Sequence, residues 1–290
     1  MDDYVLPKFF TLDRSGEGGH QAMLMGAPGE GKTTLLEYLA ILAAKGKDIY
    51  GKDREKQACI WRARQHDRYL EFFKLGVGKL MLPENSNYTL LKVYEKHKEE
   101  ITMDDLESLG IDYGLYTDPQ SIVDQLEAGK ILCILFPGSK EAETVFYSDL
   151  FESLVHRKTD EWVNVSIDES GDILAPYTAE SYKVQKRFID SIGDFRKNNI
   201  DSILGCHVHT DLDFRVRGKC KYHIYKSGAT KMPGETRRLR EETINHTKVS
   251  EAWITYGGFF DKFVFPDMAA NAKLDYKLQT VAKTMAVQTE

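Results

Sequence analysis

The sequence lacks several features that mark special classes of protein. No apolar run is long enough to span a bilayer, and the acidic start, Met1-Asp2-Asp3-Tyr4, lacks the basic and apolar segments of a secretory signal. The four cysteines include no CxxC pair, which argues against a zinc site or a disulfide framework and favours reduced structural cysteines. With 42% hydrophobic and 29% charged residues, the 290-residue chain has an ordinary globular composition. We expect a cytoplasmic protein without a membrane span.

Basic residues are outnumbered, and the net charge of −6 argues by itself against general nucleic-acid binding. Their distribution argues the other way, because the segment from Arg215 to Arg240 holds nine lysines and arginines and a single acid, Glu235. Such a segment is either a contact surface for backbone phosphates or a solvated face or subunit interface. We take its densest cluster, Arg237, Arg238 and Arg240, as the candidate DNA contact.

The strongest motif present is G-x-x-x-x-G-K-[ST], which residues 26–33 fit at every fixed position. An apolar run at residues 21–25 precedes it and a helical pattern at residues 35–44 follows, the strand–loop–helix context that a P-loop requires. The expected ligands are ATP and Mg²⁺, with Lys32 on the β- and γ-phosphates and the Thr33 hydroxyl on the metal. Glycines and backbone N–H groups cradle the phosphates. The predicted nucleotide contacts are Gly26, Pro28, Gly29, Glu30, Gly31, Lys32, Thr33 and Thr34.

A second motif, Asp168-Glu169, follows the apolar run at residues 162–167. In P-loop NTPases an apolar strand ends in an acid that holds Mg²⁺, and we expect this strand to lie beside the P-loop strand. Asp168 is therefore the predicted metal ligand. Glu169 is the predicted catalytic base that polarises the attacking water. The alternative interpretation is a pair of acids that cap a helix.

His207 follows the predicted strand at residues 200–206, where polar residues of a doubly wound sheet point at the ligand crevice. We predict that it senses the γ-phosphate and count it among the catalytic residues. Two alternatives remain open. His207, His209 and Asp211 have a metal-ligand spacing, although a hydrolytic metal site needs more converging ligands. They are otherwise ordinary loop residues.

The remaining pattern predicts a single P-loop domain over residues 1–268, with a mostly parallel sheet flanked by helices. Asp118-Pro119 is typical of a helix start, and Gly257-Gly258 of a C-terminal β-hairpin with a primed turn. An insertion with one or two helices is expected within residues 47–125, and a loosely helical or disordered tail at residues 269–290. The other predicted elements are strands near residues 58–61 and 131–136 and helices near 140–157 and 178–198.

The order of these elements resembles the FtsK–HerA superfamily of DNA-pumping ATPases. The resemblance is carried by the P-loop, by Asp168-Glu169, by the stretch from Asp194-Phe195-Arg196-Lys197 to Cys206-His207, and by Asp211-Leu212-Asp213-Phe214-Arg215. Cys206-His207 stands where the superfamily usually has Thr-Gln. The resemblance implies a RecA-like α/β fold and a homo-oligomeric ring, with a hexamer as the expected form. It also implies an arginine supplied in trans, for which Arg196 is the first choice and Arg215 and Arg217 the second.

These features together predict a Mg²⁺-dependent ATPase that moves double-stranded DNA, in viral genome packaging or plasmid DNA transfer. A capsid or a transfer apparatus is the expected further partner, so the cytoplasmic location includes a host cell or a virion. Three alternatives stay open: a Zot-like virion-assembly ATPase, a nucleotide-dependent switch or partition protein, and a structural subunit that does not hydrolyse ATP.

Overall fold

A computed structural model of the protein describes residues 19–49, 51–63, 69–84, 88–94, 97–175, 181–235, 237–266 and 276–282. Within these ranges, ten strands form one sheet and three form a second. The helices are α1 (Lys32–Lys45), α2 (Glu71–Lys74), α3 (Met103–Ser108), α4 (Pro119–Val123), α5 (Lys140–Val155), α6 (Gly171–Leu174), α7 (Tyr182–Phe195), α8 (Phe214–Lys219) and α9 (Glu241–Asn245). None of these helices combines the length and apolar character of a membrane span.

The strands are β1 (Gln21–Met25), β2 (Ala58–Ala63), β3 (Gly78–Pro83), β4 (Tyr88–Tyr94), β5 (His97–Glu100), β6 (Tyr113–Tyr116), β7 (Ile131–Leu135), β8 (Val163–Ile167), β9 (Ile200–Cys206), β10 (Tyr222–Tyr225), β11 (Glu251–Tyr256), β12 (Phe259–Val264) and β13 (Lys277–Ala282). The large sheet has the order β12-β11-β10-β1-β9-β8-β2-β7-β3-β6. The eight strands from β10 to β6 in this order run parallel, and β11 runs antiparallel to both of its neighbours, β10 and β12. The predicted mostly parallel α/β fold is thus confirmed.

Apolar side chains cover both faces of this sheet, as expected for parallel strands that read as continuous apolar runs. Along β1, Ala22 and Leu24 face one buried layer, which includes α1, α2 and α3, whereas Met23 and Met25 face the other. That second layer includes α5 and α7, which bring Phe151, Phe188 and Phe195 into contact. The two layers pack the sheet between helices. Because the strands are parallel, their carboxyl ends lie at one edge of the sheet.

The C-terminal hairpin is confirmed, because β11 and β12 pair antiparallel through a two-residue turn from Tyr256 to Phe259. Gly257 and Gly258 both have positive φ angles, 57° and 89°. A type I′ turn requires positive φ at both central positions, which glycine adopts without a Cβ clash.

The inserted segment is richer in strands than the sequence predicts. It has the short helices α2 and α3, but it also supplies β3 and β6 to the large sheet and β4 and β5 to the small one. Short apolar runs such as residues 80–82 do not distinguish strand from helix by periodicity. Their strand conformation depends on partners elsewhere in the chain, since β3 pairs with β7 and β6 with β3.

The predicted helical or disordered tail is wrong for β13, which pairs antiparallel with β4 in the small sheet. Leu278 is fully buried there, and the Tyr69 hydroxyl donates a hydrogen bond to its carbonyl oxygen at 3.0 Å. This pairing joins residues nearly 190 positions apart, which local pattern does not reveal. The rest of the predicted tail, residues 269–275 and 283–290, lies outside the described residues, as do the first three positions of the helix predicted from residue 178.

Candidate nucleotide-binding site

The P-loop joins the carboxyl end of β1 to the amino end of α1, as its motif predicts. Gly31 has a φ of 80°, and a Cβ there would lie 3.0 Å from the Val249 carbonyl oxygen. A Cβ on Gly26 would lie 2.6 Å from the Cβ of Lys226. The Ala27 N–H donates to the Ser227 carbonyl at 2.9 Å. The loop is therefore braced by the chain that follows β10 and has no room for larger residues at either glycine.

Lys32 is buried at the first position of α1, and its ammonium group connects the P-loop with β9. The Nζ atom donates to the carbonyl oxygens of Gly26 at 2.8 Å and Ala27 at 2.9 Å, and lies 3.2 Å from His207 Nδ1. Burial lowers the pKa of Lys32, while the negative charge of Asp168 opposes that shift. A cation is thus fixed beside the loop that would hold phosphates, which fits an anionic ligand.

Thr33 and Asp168 form the next contact, with the Thr33 hydroxyl donating to Asp168 Oδ2 at 2.5 Å. The expectation that the Asp168 strand lies beside the P-loop strand is wrong, because β9 pairs with both β1 and β8 and separates them. Two strand spacings amount to about 10 Å, and Thr33 crosses that gap from the start of α1. A hydroxyl and a carboxylate that converge in this way are the oxygen ligands that Mg²⁺ prefers, so the residues present fit that ion.

Glu169 has a left-handed backbone with a φ of 45°, which non-glycine residues rarely adopt. Such a conformation costs about 1–3 kcal/mol and persists only where its surroundings enforce it. Here the Ser170 N–H and hydroxyl both donate to the Gly205 carbonyl of β9 at 2.7 Å. Glu169 lines a cavity of about 380 Å³ with Cys206, His207 and other residues. Glu169 and His207 therefore border one cavity, and His207 also lies next to Lys32.

His207 follows β9 directly, next to the P-loop strand, as the sequence predicts. The Asp211 carboxylate accepts hydrogen bonds from the backbone N–H groups of His207 at 3.0 Å and Val208 at 2.9 Å. Burial and the charge of Arg217 lower the pKa of His209. No group of three or more metal-binding side chains occurs among the described residues, so the alternative of a His-x-His metal site is not supported.

Two charged residues at this edge have contacts that the sequence analysis did not predict. Arg62, near the end of β2, makes a bidentate pair with Glu143 at 2.7 Å and 2.7 Å, and its Nη1 contacts the carbonyl oxygens of Asp168 and Glu169. Lys226, fully buried, donates to the carbonyl oxygens of residues 248, 249 and 251. The only signal in the sequence for either residue was that a basic side chain stands at the end of an apolar run.

Lys226 also changes the interpretation of the basic segment. Burial lowers its pKa to about 8, and a side chain without solvent exposure cannot contact DNA. The segment is moreover divided between the two ends of the sheet, because Lys219 and Lys221 precede β10 and the cluster Arg237, Arg238 and Arg240 follows it. All three arginines of the cluster are exposed. The nine basic residues therefore do not form one surface.

Arg196 lies at the opposite edge of the sheet from the P-loop. The Gly19 N–H donates to its carbonyl oxygen at 2.9 Å, just before β1 begins, and its side chain is exposed. The seven residues of β9 separate Arg196 from His207, a distance of roughly 20 Å at the usual rise per residue. Arg196 cannot reach the P-loop of its own chain. Arg215 instead pairs with Asp213 at 2.9 Å, close to the carboxyl edge.

No protein-family model matches the sequence, and no curated protein matches it. Several solved structures are similar to the protein in fold. The genome-packaging NTPase B204 from Sulfolobus turreted icosahedral virus 2, in complex with sulfate, is 13% identical and aligns over 86% of this chain and 97% of its own with a TM-score of 0.51. VirB4 of Thermoanaerobacter pseudethanolicus is 11% identical and aligns over 85% and 89% with a TM-score of 0.50.

A third structure, the N-terminal domain of zonular occludens toxin from Neisseria meningitidis, has a TM-score of 0.34 at 12% identity and covers 92% of this chain and 96% of its own. That similarity is too low to bear on the choice between functions. The two structures above establish the fold, and the site geometry agrees with it. The chain has the α/β fold of a P-loop NTPase, as the resemblance to the FtsK–HerA superfamily implies.

Proposed function

We propose that the protein is a Mg²⁺-dependent ATPase that moves double-stranded DNA, in viral genome packaging or plasmid DNA transfer. The observation that carries the proposal is the convergence of Lys32, Thr33, Asp168, Glu169 and His207 at the carboxyl ends of β1, β8 and β9. These residues come from three separate parts of the sequence. They are the charges and hydroxyls that phosphoryl transfer to water requires.

Each residue has a distinct task in this proposal. The P-loop N–H groups and Lys32 bind the β- and γ-phosphates, and His207, next to Lys32, senses the γ-phosphate. Thr33 and Asp168 would hold Mg²⁺, which would neutralise charge that develops on the phosphate oxygens. Glu169 accepts a proton from the attacking water, and its place beside the cavity suits a general base.

Arg196 completes the site of a neighbouring subunit. Its exposure at the amino edge of the sheet supports this role, because only a second copy of the chain can bring the group to a P-loop. A closed ring satisfies that requirement for every subunit. A hexamer is the ring expected from the resemblance.

A different part of the structure supports the movement of DNA. The exposed cluster Arg237, Arg238 and Arg240 lies in the connection from β10 to β11, on the same edge as the P-loop. Ser227 and Lys226, at the start of that connection, brace the P-loop, so a change at the nucleotide site would move the connection. B204 is a genome-packaging NTPase. Of the two systems proposed, we therefore favour viral genome packaging, with a capsid as the partner.

The decisive experiment measures ATP hydrolysis with and without double-stranded DNA, with Glu169→Gln as the matched inactive control. Hydrolysis stimulated by DNA supports the motor. Hydrolysis that DNA does not change contradicts it and favours a switch or a virion-assembly ATPase. ATP binding without hydrolysis, with or without DNA, identifies the structural-subunit alternative.

A further inference from the structure

Arg62 is a buried cation for which the hydrolytic mechanism above has no use. Its side chain is 3% exposed, and its only carboxylate partners within 4 Å among the described residues are Glu143 and Asp172. Burial by itself would lower the pKa of Arg62, but the hydrogen bonds and charge of Glu143 outweigh it and raise the pKa. The guanidinium therefore stays charged in the interior, close to the residues proposed to act on ATP.

The five N–H groups of Arg62 are divided between two elements. Nε and Nη2 form the bidentate pair with Glu143, in the first turn of α5. Nη1 faces the carbonyl oxygens of Asp168 at 3.4 Å and Glu169 at 3.3 Å, and Asp172 Oδ2 at 3.6 Å. This planar fork allows one side chain to hold α5 and the turn after β8 together.

The turn that Arg62 contacts is the strained one. Glu169 has a φ of 45°, and its carbonyl oxygen, which Arg62 approaches, also accepts the Asp172 N–H at 3.0 Å. On the other side, Ser170 is held to Gly205 of β9. The left-handed turn is therefore fixed from β9 by Ser170 and from β2 by Arg62.

We propose that Arg62 is the positioning residue for the general base: it holds the backbone of residues 168–169 in the left-handed turn and so directs the Glu169 side chain into the cavity. Glu143 keeps the Arg62 fork oriented, and through it the amino end of α5 is coupled to the hydrolytic site. Lys140, in the same turn of α5, extends the network through its 2.8 Å bond to Asp172 and is itself 60% exposed. This inference rests on the proposed ATPase function.

The test is a double-mutant cycle between Arg62→Lys and Glu169→Gln. A lysine retains the charge but lacks the fork, so it cannot hold Glu143 and both carbonyls at once. We expect Arg62→Lys to lower kcat by about tenfold or more while the Kd for ATP changes by less than about threefold, because loss of a general base costs about 10²–10⁴ in rate. In the Glu169→Gln background the same change is expected to lower kcat by less than about threefold.

Two further variants keep the result interpretable. Glu143→Gln, which leaves Arg62 in place but loosens it, is expected to lower kcat in the same direction by a smaller factor. It replaces Arg62→Lys if that variant does not fold, since glutamine has nearly the shape of glutamate and keeps one hydrogen-bond acceptor for the guanidinium. Arg187→Met is the matched control. It removes an exposed ion pair between α7 and α5, Arg187 to Asp149 at 2.6 Å, in which residues 168–169 take no part, and is expected to leave kcat unchanged.

Hydrogen exchange gives a readout that does not depend on hydrolysis. The Ser170 and Asp172 amides, whose N–H groups bond within and beside the turn, are expected to lose protection in Arg62→Lys but not in Arg187→Met. Unchanged protection, or a loss of kcat that is equally large in the Glu169→Gln background, overturns the positioning role. A weakened Kd for ATP in Arg62→Lys overturns it too and indicates direct phosphate contact. A wild-type protein that hydrolyses no ATP contradicts the proposed function instead, and the exchange comparison still tests Arg62.

Discussion

The two edges of the large sheet differ in what they hold. The carboxyl edge gathers Lys32, Thr33, Asp168, Glu169 and His207 within a few hydrogen bonds of one another. The amino edge holds Arg196, with a polar cavity of only about 50 Å³ that Arg196, Lys221 and His20 help to line.

This difference follows from the direction of the strands. In a parallel sheet every loop that leaves a carboxyl end meets at the same edge, where helix amino termini also point. A single chain can therefore assemble the phosphate, metal and base groups there. It cannot place an arginine from the other edge in the same site, so the proposed arginine needs a second copy of the chain.

Loss of Lys32 has the largest expected effect on the carboxyl edge. Lys32→Ala removes the cation that contacts the P-loop carbonyls and His207, and we expect ATP hydrolysis to fall to background with weakened ATP binding. Hydrolysis and nucleotide binding are measured together. Thr33→Ala, a neighbouring control, is expected to shift the Mg²⁺ requirement rather than abolish binding. Full activity in Lys32→Ala would falsify the P-loop assignment.

Substitutions of the two acids after β8 are expected to have different effects on ATP binding and hydrolysis. Glu169→Gln keeps ATP binding but loses the base, so hydrolysis should slow by about 10²–10⁴. Asp168→Asn should lose metal-dependent activity, because Asp168 and Thr33 together offer the oxygen ligands. Titrations of ATP with and without Mg²⁺ distinguish them. Equal loss of ATP affinity in both variants would contradict this division of tasks.

The comparison of the two edges is tested most directly by Arg196. Arg196→Ala is expected to lower turnover by about 10³-fold if the arginine acts as a finger in trans. Mixing Arg196→Ala subunits with Lys32→Ala subunits should restore part of the activity, because some interfaces then combine an intact P-loop with an intact arginine. Normal assembly without rescue at any ratio removes Arg196 from this role, and Arg215 is the next candidate to test.

The smallest effect on hydrolysis is expected from the exposed cluster. Replacing Arg237, Arg238 and Arg240 together by alanine should reduce DNA affinity and lower the slope of log affinity against log salt by about 2.7, if each arginine neutralises one phosphate. Basal hydrolysis should persist, while stimulation by DNA falls. Sizing the variant beside the binding titration separates this from a subunit interface: an oligomer that dissociates while its DNA affinity is kept contradicts the DNA contact.

The sequence predicted local features wherever the chemistry is local. The P-loop is set by glycines with positive φ and by the helix that begins at Lys32, and the helix start at Asp118-Pro119 and the turn at Gly257-Gly258 likewise depend on adjacent residues. Asp168, Glu169 and His207 were identifiable because each follows an apolar strand. Their catalytic roles stay predictions.

The amino-acid sequence alone thus determined the fold class, the phosphate-binding loop and the candidate residues that follow each buried strand. Only the tertiary structure decided that β9 lies between β1 and β8, that β13 pairs with β4, that Lys226 is buried and that Arg62 reaches the turn at Glu169. The physical reason is the separation along the sequence of the residues that decide each feature. Glycine conformations and helix caps depend on neighbouring residues, whereas strand order and the burial of a charge depend on partners that the chain brings together only when it folds.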